Sequence, residues 1–351
     1  MFRLNHIYRN IILLISGVVL SSCSGMLYTT IDVLRPAKVS FPVDVNNLLI
    51  VNNAASQPQS YGHKTVLFNE NQKSVTVDAD SLPVFALASF AESVLEKEFF
   101  NSVNLEHQSI NNKEDFFSVS LPEAKQLKEL SEKYGANGII TLNRVLVHDQ
   151  LGETYDEENA TFIAYLEARY EYNWSIHFPI KNHIFSLVTK DTVYWESESY
   201  SRQRAMNGLP DRRNALIDGA LITGKRAVNQ FIPFWEQADR YLFDMSDKVF
   251  KSGLDSVYVK NWDGAVQVWT GLMKSVKNQT KKSKIAHNLS VLYEIKGDIK
   301  QAYDYSNKAL ETFLNATIID YSQMMFVVEQ NGVLKARLEE LELLDKQLGE
   351  K

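Results

Sequence analysis

Two different spacings of hydrophobic residues divide this chain into two parts. Between residues 45 and 245, short apolar runs and alternating stretches predict strands, and apolar positions three or four residues apart predict helices between them. From residue 246 onward only the helical spacing remains, and no proline follows Pro233. The pattern therefore predicts the α+β class, with a mixed α/β sheet domain at 45–245 followed by an all-α helical domain at 246–351.

The elements of the first domain are predicted in the order β-α-β-α-β-β-β-α. A short buried strand is predicted at 47–51, and a small hairpin is predicted from 64–68 and 74–77. A helix is predicted to begin near Ser81, with a short strand after it. Gly135 then ends a second helix at a position that favours a left-handed residue.

Longer segments follow in the same domain. Residues 160–178 alternate over much of their length and predict one long strand. Its predicted partners are 184–188 and 192–200, with a turn at 190–191 between them. Residues 211–247 then predict a helical region that a proline interrupts.

The N-terminal segment is typical of an exported protein. Arg3 and Arg9 precede an apolar run at 11–20, which is shorter than the about 20 residues that a membrane-spanning helix needs. The next residues, Leu-Ser-Ser-Cys, end at Cys23, the only cysteine in the chain, and they resemble a bacterial lipobox. The resemblance implies cleavage before Cys23 and lipid attachment to it. An ordinary signal peptide followed by an incidental cysteine is the alternative.

We therefore predict a lipoprotein signal peptide at 1–22 and a lipid-anchored N-terminal linker at 23–44. Cleavage removes two arginines and no acid, so the formal charge of −6 (37 minus 43) becomes −8 (35 minus 43). Such an acidic chain is unsuited to nucleic acid. Ser24 stands where an aspartate would resemble an inner-membrane retention signal, and no acidic run follows the cysteine. The likeness to known sorting rules implies the outer membrane, facing the periplasm.

Two wider resemblances concern the whole fold. Residues 130–140 (LSEKYGANGII) and a later meander ending at 193–195 (VYW) resemble the small α/β domain of curli-secretion-channel-like lipoproteins and of the TolB N-terminal domain. The phrase DVLRPAKVSFP at 32–42 is similar to the start of the mature chain in a lipoprotein family of gut Bacteroidota. These resemblances imply a fold and an envelope location, but a fold does not fix a function.

The helical domain contains a repeated pattern. Residues 283–311 resemble one tetratricopeptide repeat, and a second copy lies upstream, with Ala265 and Ala302 separated by 37 positions. An ordinary helical hairpin core is the alternative. The resemblance implies a surface that binds extended peptides or protein edges. The expected packing positions are Gly253, Ala265, Trp269, Leu289, Tyr293, Gly297, Ala302 and Ala309.

Residues that could carry chemistry are dispersed. His177 and His183 have no nearby carboxylates in the sequence that would complete a metal site, so we expect no metal ion and no cofactor. The acidic stretch 152–159 lacks the spacing of a calcium loop, and a solvated loop is the favoured interpretation. Four arginines could meet an anionic glycan or phosphate, although an exposed charged loop is favoured: Arg202, Arg204, Arg212 and Arg213.

A modification pattern is also present. Three Asp-Ser/Thr-apolar triplets resemble the O-glycosylation motif of Bacteroidota and would place sugars on Ser81, Thr192 and Ser256. Because Ser81 also stands at a predicted helix start, its modification would compete with capping.

Together these observations predict a lipid-anchored, non-enzymatic scaffold or binding protein of the envelope, which holds an unknown protein partner through its helical repeats. The alternative is an enzyme that acts on envelope glycan or peptidoglycan through dispersed carboxylates such as Glu167 and Glu171. A regulator of a cell-wall synthase is a narrower hypothesis, and it is based on likeness to lipoprotein activators.

Overall fold

The computed structural model describes residues 26–111, 115–179, 183–317 and 320–349. The predicted signal peptide and Cys23 lie outside these residues. The described residues divide into two compact units: Ala37–Phe234 with 347–349, and 26–36 with Trp235–Lys346. A mixed sheet with helices forms the first unit and helices dominate the second, which confirms the predicted fold class.

Nine strands and nine helices lie within the described residues. The strands are β1 (Met26–Arg35), β2 (Asn47–Asn52), β3 (His63–Val66), β4 (Lys73–Ser74), β5 (Ser102–Glu106), β6 (Gly138–Asp156), β7 (Thr161–Phe178), β8 (His183–Ser199) and β9 (Phe234–Phe243). The helices are α1 (Leu82–Glu96), α2 (Ala124–Tyr134), α3 (Arg202–Asn207), α4 (Arg212–Ala227), α5 (Lys248–Tyr258), α6 (Trp262–Ser275), α7 (Gln279–Ile295), α8 (Ile299–Leu314) and α9 (Tyr321–Leu348).

The long strand β6 organises the seven-stranded sheet. Along one edge it pairs in parallel with β2, where Leu48 lies opposite Gly138, and further on with β3, where His63 lies opposite Asp149. Along its other edge it pairs antiparallel with β7, which in turn pairs antiparallel with β8. β5 extends the sheet beyond β2, and β4 extends it beyond β3. The strands β6, β7 and β8 therefore form a long antiparallel ribbon.

Helices cover the two faces of this sheet unequally. α1 and α4 pack on one face, where Phe90 and Trp174 are fully buried. On the other face α2 packs through Leu127 over the start of β6. Because alternate strand residues point to opposite faces, the later part of the ribbon presents side chains such as His148 and Arg169 to solvent.

The ribbon corrects one prediction. Residues 184–188 and 192–200 are not separate strands, because β8 continues through Lys190 and Asp191. The Lys190 ammonium lies 2.9 Å from the carboxylate of Glu171 on β7. A continuous partner strand and this cross-strand ion pair outweigh the local turn preference of the Lys-Asp pair.

A second correction concerns the predicted helical region at 211–247. α4 ends at Ala227, and the residues of β9 form a strand that pairs with β1. Pro233 has no backbone N–H and stops the helix, but only the distant partner decides that the following residues are extended. The Thr30 hydroxyl donates to Asp239 (2.7 Å) across 209 positions of sequence.

In the helical unit, four helices begin with the same local chemistry. The side-chain oxygen of each N-cap residue accepts a hydrogen bond from the backbone N–H three positions later, which satisfies one of the free donors of the first turn. α5 and α6 form one hairpin and α7 and α8 form another, with a shared apolar core. The four caps are Asp247, Asn261, Asn278 and Asp298.

Candidate binding surfaces

The predicted repeat positions of the first hairpin lie between its two helices. A Cβ on Gly253 would approach the Trp269 ring nitrogen to 2.2 Å, so only glycine lets α5 approach α6 this closely. The Trp269 ring N–H donates to the Phe250 carbonyl at 3.0 Å, and both Trp269 and Ala265 are fully buried. These residues determine how closely the two helices pack.

The second hairpin uses the corresponding positions. Tyr293 stacks on Tyr305 with ring centroids 5.2 Å apart, and Gly297 has a φ of +80° in the loop between the helices. The Ala309 carbonyl accepts a hydrogen bond from the Ser283 hydroxyl at 2.8 Å. The remaining predicted positions, Leu289 and Ala302, are fully buried.

The same helical unit holds β9 along α7. The Asn288 side chain accepts from the Phe243 N–H (2.8 Å) and donates to the Phe243 carbonyl (2.9 Å). One position earlier, the His287 ring N–H donates to the Tyr241 carbonyl (2.9 Å), and burial lowers the pKa of His287 to about 4. The side chains on this face of α7 could bind the main chain of an extended peptide. Instead, they bind a strand of the same protein chain.

A buried carboxylate reinforces this arrangement. Glu294 of α7 accepts two hydrogen bonds from Arg240 of β9, at 2.8 and 2.7 Å. It also accepts from Arg337 (2.7 Å) and Gln330 (2.9 Å) of α9. Burial raises the pKa of Glu294, but these donors outweigh burial and hold it below its usual range. One carboxylate thus ties a strand and two helices together.

A solvent-facing apolar stripe remains at the start of α9. Tyr321, Met325 and Val328 are 76%, 59% and 48% exposed. Their spacing of four and three residues places them on one side of the helix. Gly332 continues the stripe, and a Cβ there would meet no heavy atom within 4 Å. We name Tyr321, Met325 and Val328 the α9 stripe.

In the α/β unit, the predicted arginine cluster is largely engaged within the molecule. Arg202 pairs with Glu153, Arg213 with Asp78 at 3.2 Å, and Arg212 with Asp149 at 2.6 Å, while Arg204 is exposed. Asp149 also binds His63, so α4 is fixed to the sheet through a His-Asp-Arg contact in which His63 and Asp149 are buried. Sequence reasoning missed this contact because its residues are 63, 149 and 212, far apart in the chain.

The other candidate residues occupy structural roles. His177 is buried with its Nε2 3.1 Å from the Ser175 hydroxyl, and burial lowers its pKa to about 4. Residues 152–156 belong to β6, and Asp156 accepts hydrogen bonds from the following turn rather than lying in a free loop. The side chain of His183 is outside the described part of the molecule.

The three predicted glycosylation positions differ in access. Thr192 is exposed on β8, and its N–H is bound by the Asp191 carboxylate at 2.7 Å. Ser256 is half-buried and its hydroxyl donates to the Ser252 carbonyl at 3.0 Å. Ser81 is the N-cap of α1 but makes no capping hydrogen bond, and its buried hydroxyl has no partner among the described residues. Thr192 is therefore the most accessible of the three.

A pocket of about 340 Å³ lies on the solvent-facing side of the ribbon, and sequence reasoning did not find it. Strand register builds it: Lys64 lies beside Gln150 and Gln150 opposite Glu167, while His148 lies opposite Arg169. We name it the ribbon pocket, and Tyr61, Lys64, His148, Gln150, Glu167 and Arg169 line it. The sequence signal that could have indicated this pocket is the strand alternation at 148–150. It places Asp149 on the inward face and its two neighbours on the solvent-facing side.

Two properties of the described residues bear on chemistry and location. Among residues 26–111, 115–179, 183–317 and 320–349, no helix is both long and apolar enough to cross a membrane. Within that same part of the chain, no three histidine, cysteine, aspartate or glutamate side chains are grouped so that they could hold a metal ion.

Two family models match the chain. A domain of unknown function, DUF8603, matches residues 45–243, which is more than half of the sequence. The chain belongs to this family. A second domain of unknown function, DUF6340, matches residues 251–330. The DUF8603 match covers the seven-stranded sheet, and the second match covers the two helical hairpins, except the first three residues of α5, and the α9 stripe.

Other comparisons add little. No curated protein matches the chain. Among solved structures, the chain is similar to an uncharacterized protein at 7% identity, over 54% of this chain and 94% of that one, with a TM-score of 0.23. It is also similar to a protein described as a neuraminyllactose-binding hemagglutinin homolog from Helicobacter pylori, at 8% identity over 55% and 91% of the two chains, with a TM-score of 0.23. At such TM-scores neither likeness supports an inference about this DUF8603 protein.

Proposed function

We propose that this DUF8603 protein is a lipid-anchored, non-enzymatic scaffold or binding protein of the outer membrane, and that its helical unit holds a protein partner in the periplasm. The observation that carries the proposal is the α9 stripe. Grouped apolar side chains that face solvent mark interaction surfaces, whereas scattered ones do not. The lipobox resemblance at Cys23 supports the anchor.

The tetratricopeptide-like character of the two hairpins is part of this proposal. It is supported by the close approach at Gly253 and by the tyrosine stack at Tyr293. Because β9 lies along α7, an extended peptide would have to displace a strand held by Asn288 and Glu294. We therefore assign the partner to the α9 stripe rather than to the face of α7.

The enzyme hypothesis has weaker support. Glu167 and Glu171 project from the same side of β7, but Glu167 pairs with Arg169, and Glu171 pairs with Lys190 and Arg144. The hydrogen bond from Lys190 is the largest influence that holds the pKa of Glu171 below its usual range. A general acid needs a raised pKa, so these ion pairs work against that role. Regulation of a cell-wall synthase is a narrower form of our proposal.

The test is crosslinking capture of tagged protein from intact envelopes. Met325→Gln with Val328→Gln removes most of the α9 stripe, while Lys335→Gln with Glu339→Gln changes exposed positions further along the same helix. We expect the first pair to lose a partner that the second pair retains. Capture that is unchanged by Met325→Gln with Val328→Gln would remove the support for this surface.

A further inference from the structure

The ribbon pocket combines three kinds of chemistry in a space of about 340 Å³. Tyr61 and His148 supply ring faces with centroids 5.5 Å apart. Gln150 supplies an amide whose Nε2 already donates to the Tyr165 hydroxyl at 2.8 Å, which fixes its orientation. Lys64 and Arg169 supply cations at the rim. Ring faces with oriented amides suit a hydroxylated ring, because its C–H groups stack on the aromatic faces and its hydroxyls meet the polar groups.

The balance of charge in the pocket favours an anion. Glu167 is paired with Arg169, and the carboxylate of Asp149 is turned inward to His63 and Arg212. Lys64 is therefore not compensated by another carboxylate among the residues that line the pocket. The net negative charge of the whole chain acts at longer range, where salt screens it beyond about 8 Å. The cations at the rim act at contact distance and are screened much less.

The frame of the pocket is rigid. The Gln57 side chain donates to the carbonyls of Tyr61 (2.7 Å) and Val147 (2.8 Å) and accepts from the Val147 N–H (2.8 Å). Gly62 has a φ of +91°, and a Cβ there would lie 2.5 Å from the Val147 carbonyl oxygen. The loop that carries Tyr61 is thus clamped onto β6, which lowers the ordering cost of binding.

We propose that the ribbon pocket binds a small anionic sugar, of which a uronic acid is the simplest form. Its ring lies against Tyr61 and His148, its hydroxyls meet Gln150 and Glu167, and its carboxylate meets Lys64 and Arg169. This ligand site is separate from the α9 stripe and does not depend on the protein-binding role proposed above.

The test is titration of the full chain, purified in detergent, with sodium glucuronate, glucose and inorganic phosphate, followed by calorimetry and by ligand-observed NMR. We expect glucuronate to bind at least about tenfold more tightly than either comparator, because only glucuronate has both the ring and the carboxylate. Lys64→Gln is expected to weaken glucuronate binding by about tenfold, the usual effect of losing a charge-assisted hydrogen bond. Tyr61→Leu is expected to weaken glucuronate and glucose alike.

Lys190→Gln is the matched control, since it removes one positive charge from the same side of the ribbon but outside the pocket. The proposal is overturned if phosphate binds as tightly as glucuronate, which would indicate an anion site without ring recognition. It is also overturned if glucose binds as tightly as glucuronate, if glucuronate does not bind, or if Lys190→Gln weakens glucuronate binding as much as Lys64→Gln. Thermal unfolding of each variant tests whether the substitution leaves the fold intact.

Discussion

Single residues set how closely the helices of the second unit approach one another. Gly253 and Gly271 both lie inside helices, in α5 and α6. Gly253 faces the Trp269 ring, whereas a Cβ on Gly271 would meet no heavy atom within 4 Å. The same amino acid therefore has a packing role at one position and only a helix-weakening effect at the other.

This contrast predicts opposite effects of one substitution. Gly253→Ala should destabilise the protein by about 1–3 kcal/mol, because the new methyl group would overlap an indole that is fully buried. Gly271→Ala should stabilise it by about 0.5–1 kcal/mol through helix propensity alone. Urea unfolding of both variants measures the two effects. Equal changes of the same sign in the free energy of unfolding of the two variants would contradict the packing role of Gly253.

A single histidine should give the helical unit a measurable pH dependence. The pKa of His287 is lowered by burial from 6.5 to about 4. Between these pH values His287 binds a proton in the unfolded chain but not in the folded chain. The contribution of His287 to the free energy of unfolding is therefore fully present above pH 6.5 and falls as the pH drops towards 4. From pH 7 to pH 5 the expected loss from this residue is about 2 kcal/mol.

The measurement is urea unfolding of wild type and His287→Gln at pH 7 and pH 5. The variant is expected to be less stable at pH 7, because the bond to the Tyr241 carbonyl changes, but to lose less stability on acidification. Glu294 contributes in a different window, below its ordinary pKa of 4.5, because its folded pKa is lowered. If the free energy of unfolding of the variant falls between pH 7 and pH 5 by as much as that of the wild type, this role of His287 is ruled out.

At the scale of elements, β9 is the segment whose structure depends most on its surroundings. It pairs with β1, its main chain is bound by Asn288, and its Arg240 reaches Glu294 on α7. Arg35 of β1 also contacts Glu236 of β9 and Glu340 of α9. The β1–β9 pair is thus an integral part of the helical unit.

Asn288→Ala should therefore be strongly destabilising. It removes both hydrogen bonds to Phe243 and leaves a buried N–H and a buried carbonyl without that partner, at an expected cost of about 3 kcal/mol. Asn315→Ala is the matched control, because Asn315 is exposed and donates a single hydrogen bond to Glu311, so its expected cost is below about 0.5 kcal/mol. The rate of hydrogen exchange of the β9 amides should rise only in Asn288→Ala. An unchanged rate in that variant would contradict the role of Asn288 in holding β9.

At the scale of the whole molecule, the proposed lipid anchor at Cys23 would decide which membrane surface the binding surfaces face. β1 begins at Met26, three positions after Cys23. A lipid on Cys23 would therefore tether the helical unit within a few residues of the membrane surface. Two or more acyl chains are needed for stable anchoring, which is why a lipoprotein and a singly acylated protein behave differently.

Cys23→Ala should abolish lipid labelling, because it removes the only thiol in the chain, to which the proposed lipid would be attached. Labelling with radioactive palmitate and fractionation of envelopes measure lipidation and location together. Ser22→Ala is the matched control, because it changes the neighbouring residue but keeps the thiol. Membrane retention and labelling of Cys23→Ala would contradict the lipobox interpretation.

Local chemistry explains the elements that the sequence predicted well. Gly135 has a φ of +61° and ends α2 as expected, and the strand at 47–51 is present as β2. The fold class followed because the two hydrophobic spacings differ along the chain. The resemblance to a repeat named Gly253 and Trp269 as expected packing positions, and in the structure Gly253 lies against the Trp269 ring of the neighbouring helix.

Long-range partners explain what the sequence did not reveal. The continuity of β8 depends on β7, and the strand state of β9 depends on β1 and α7. The ribbon pocket joins residues from 61 to 169 that share no local motif. The sequence by itself determined helix starts, helix stops and the alternation of strands, because backbone sterics and capping act within a few residues. Only the tertiary structure decided how the strands pair, which carboxylates form ion pairs and which surfaces remain exposed to solvent. The physical reason is that all three depend on contacts between segments far apart in the chain.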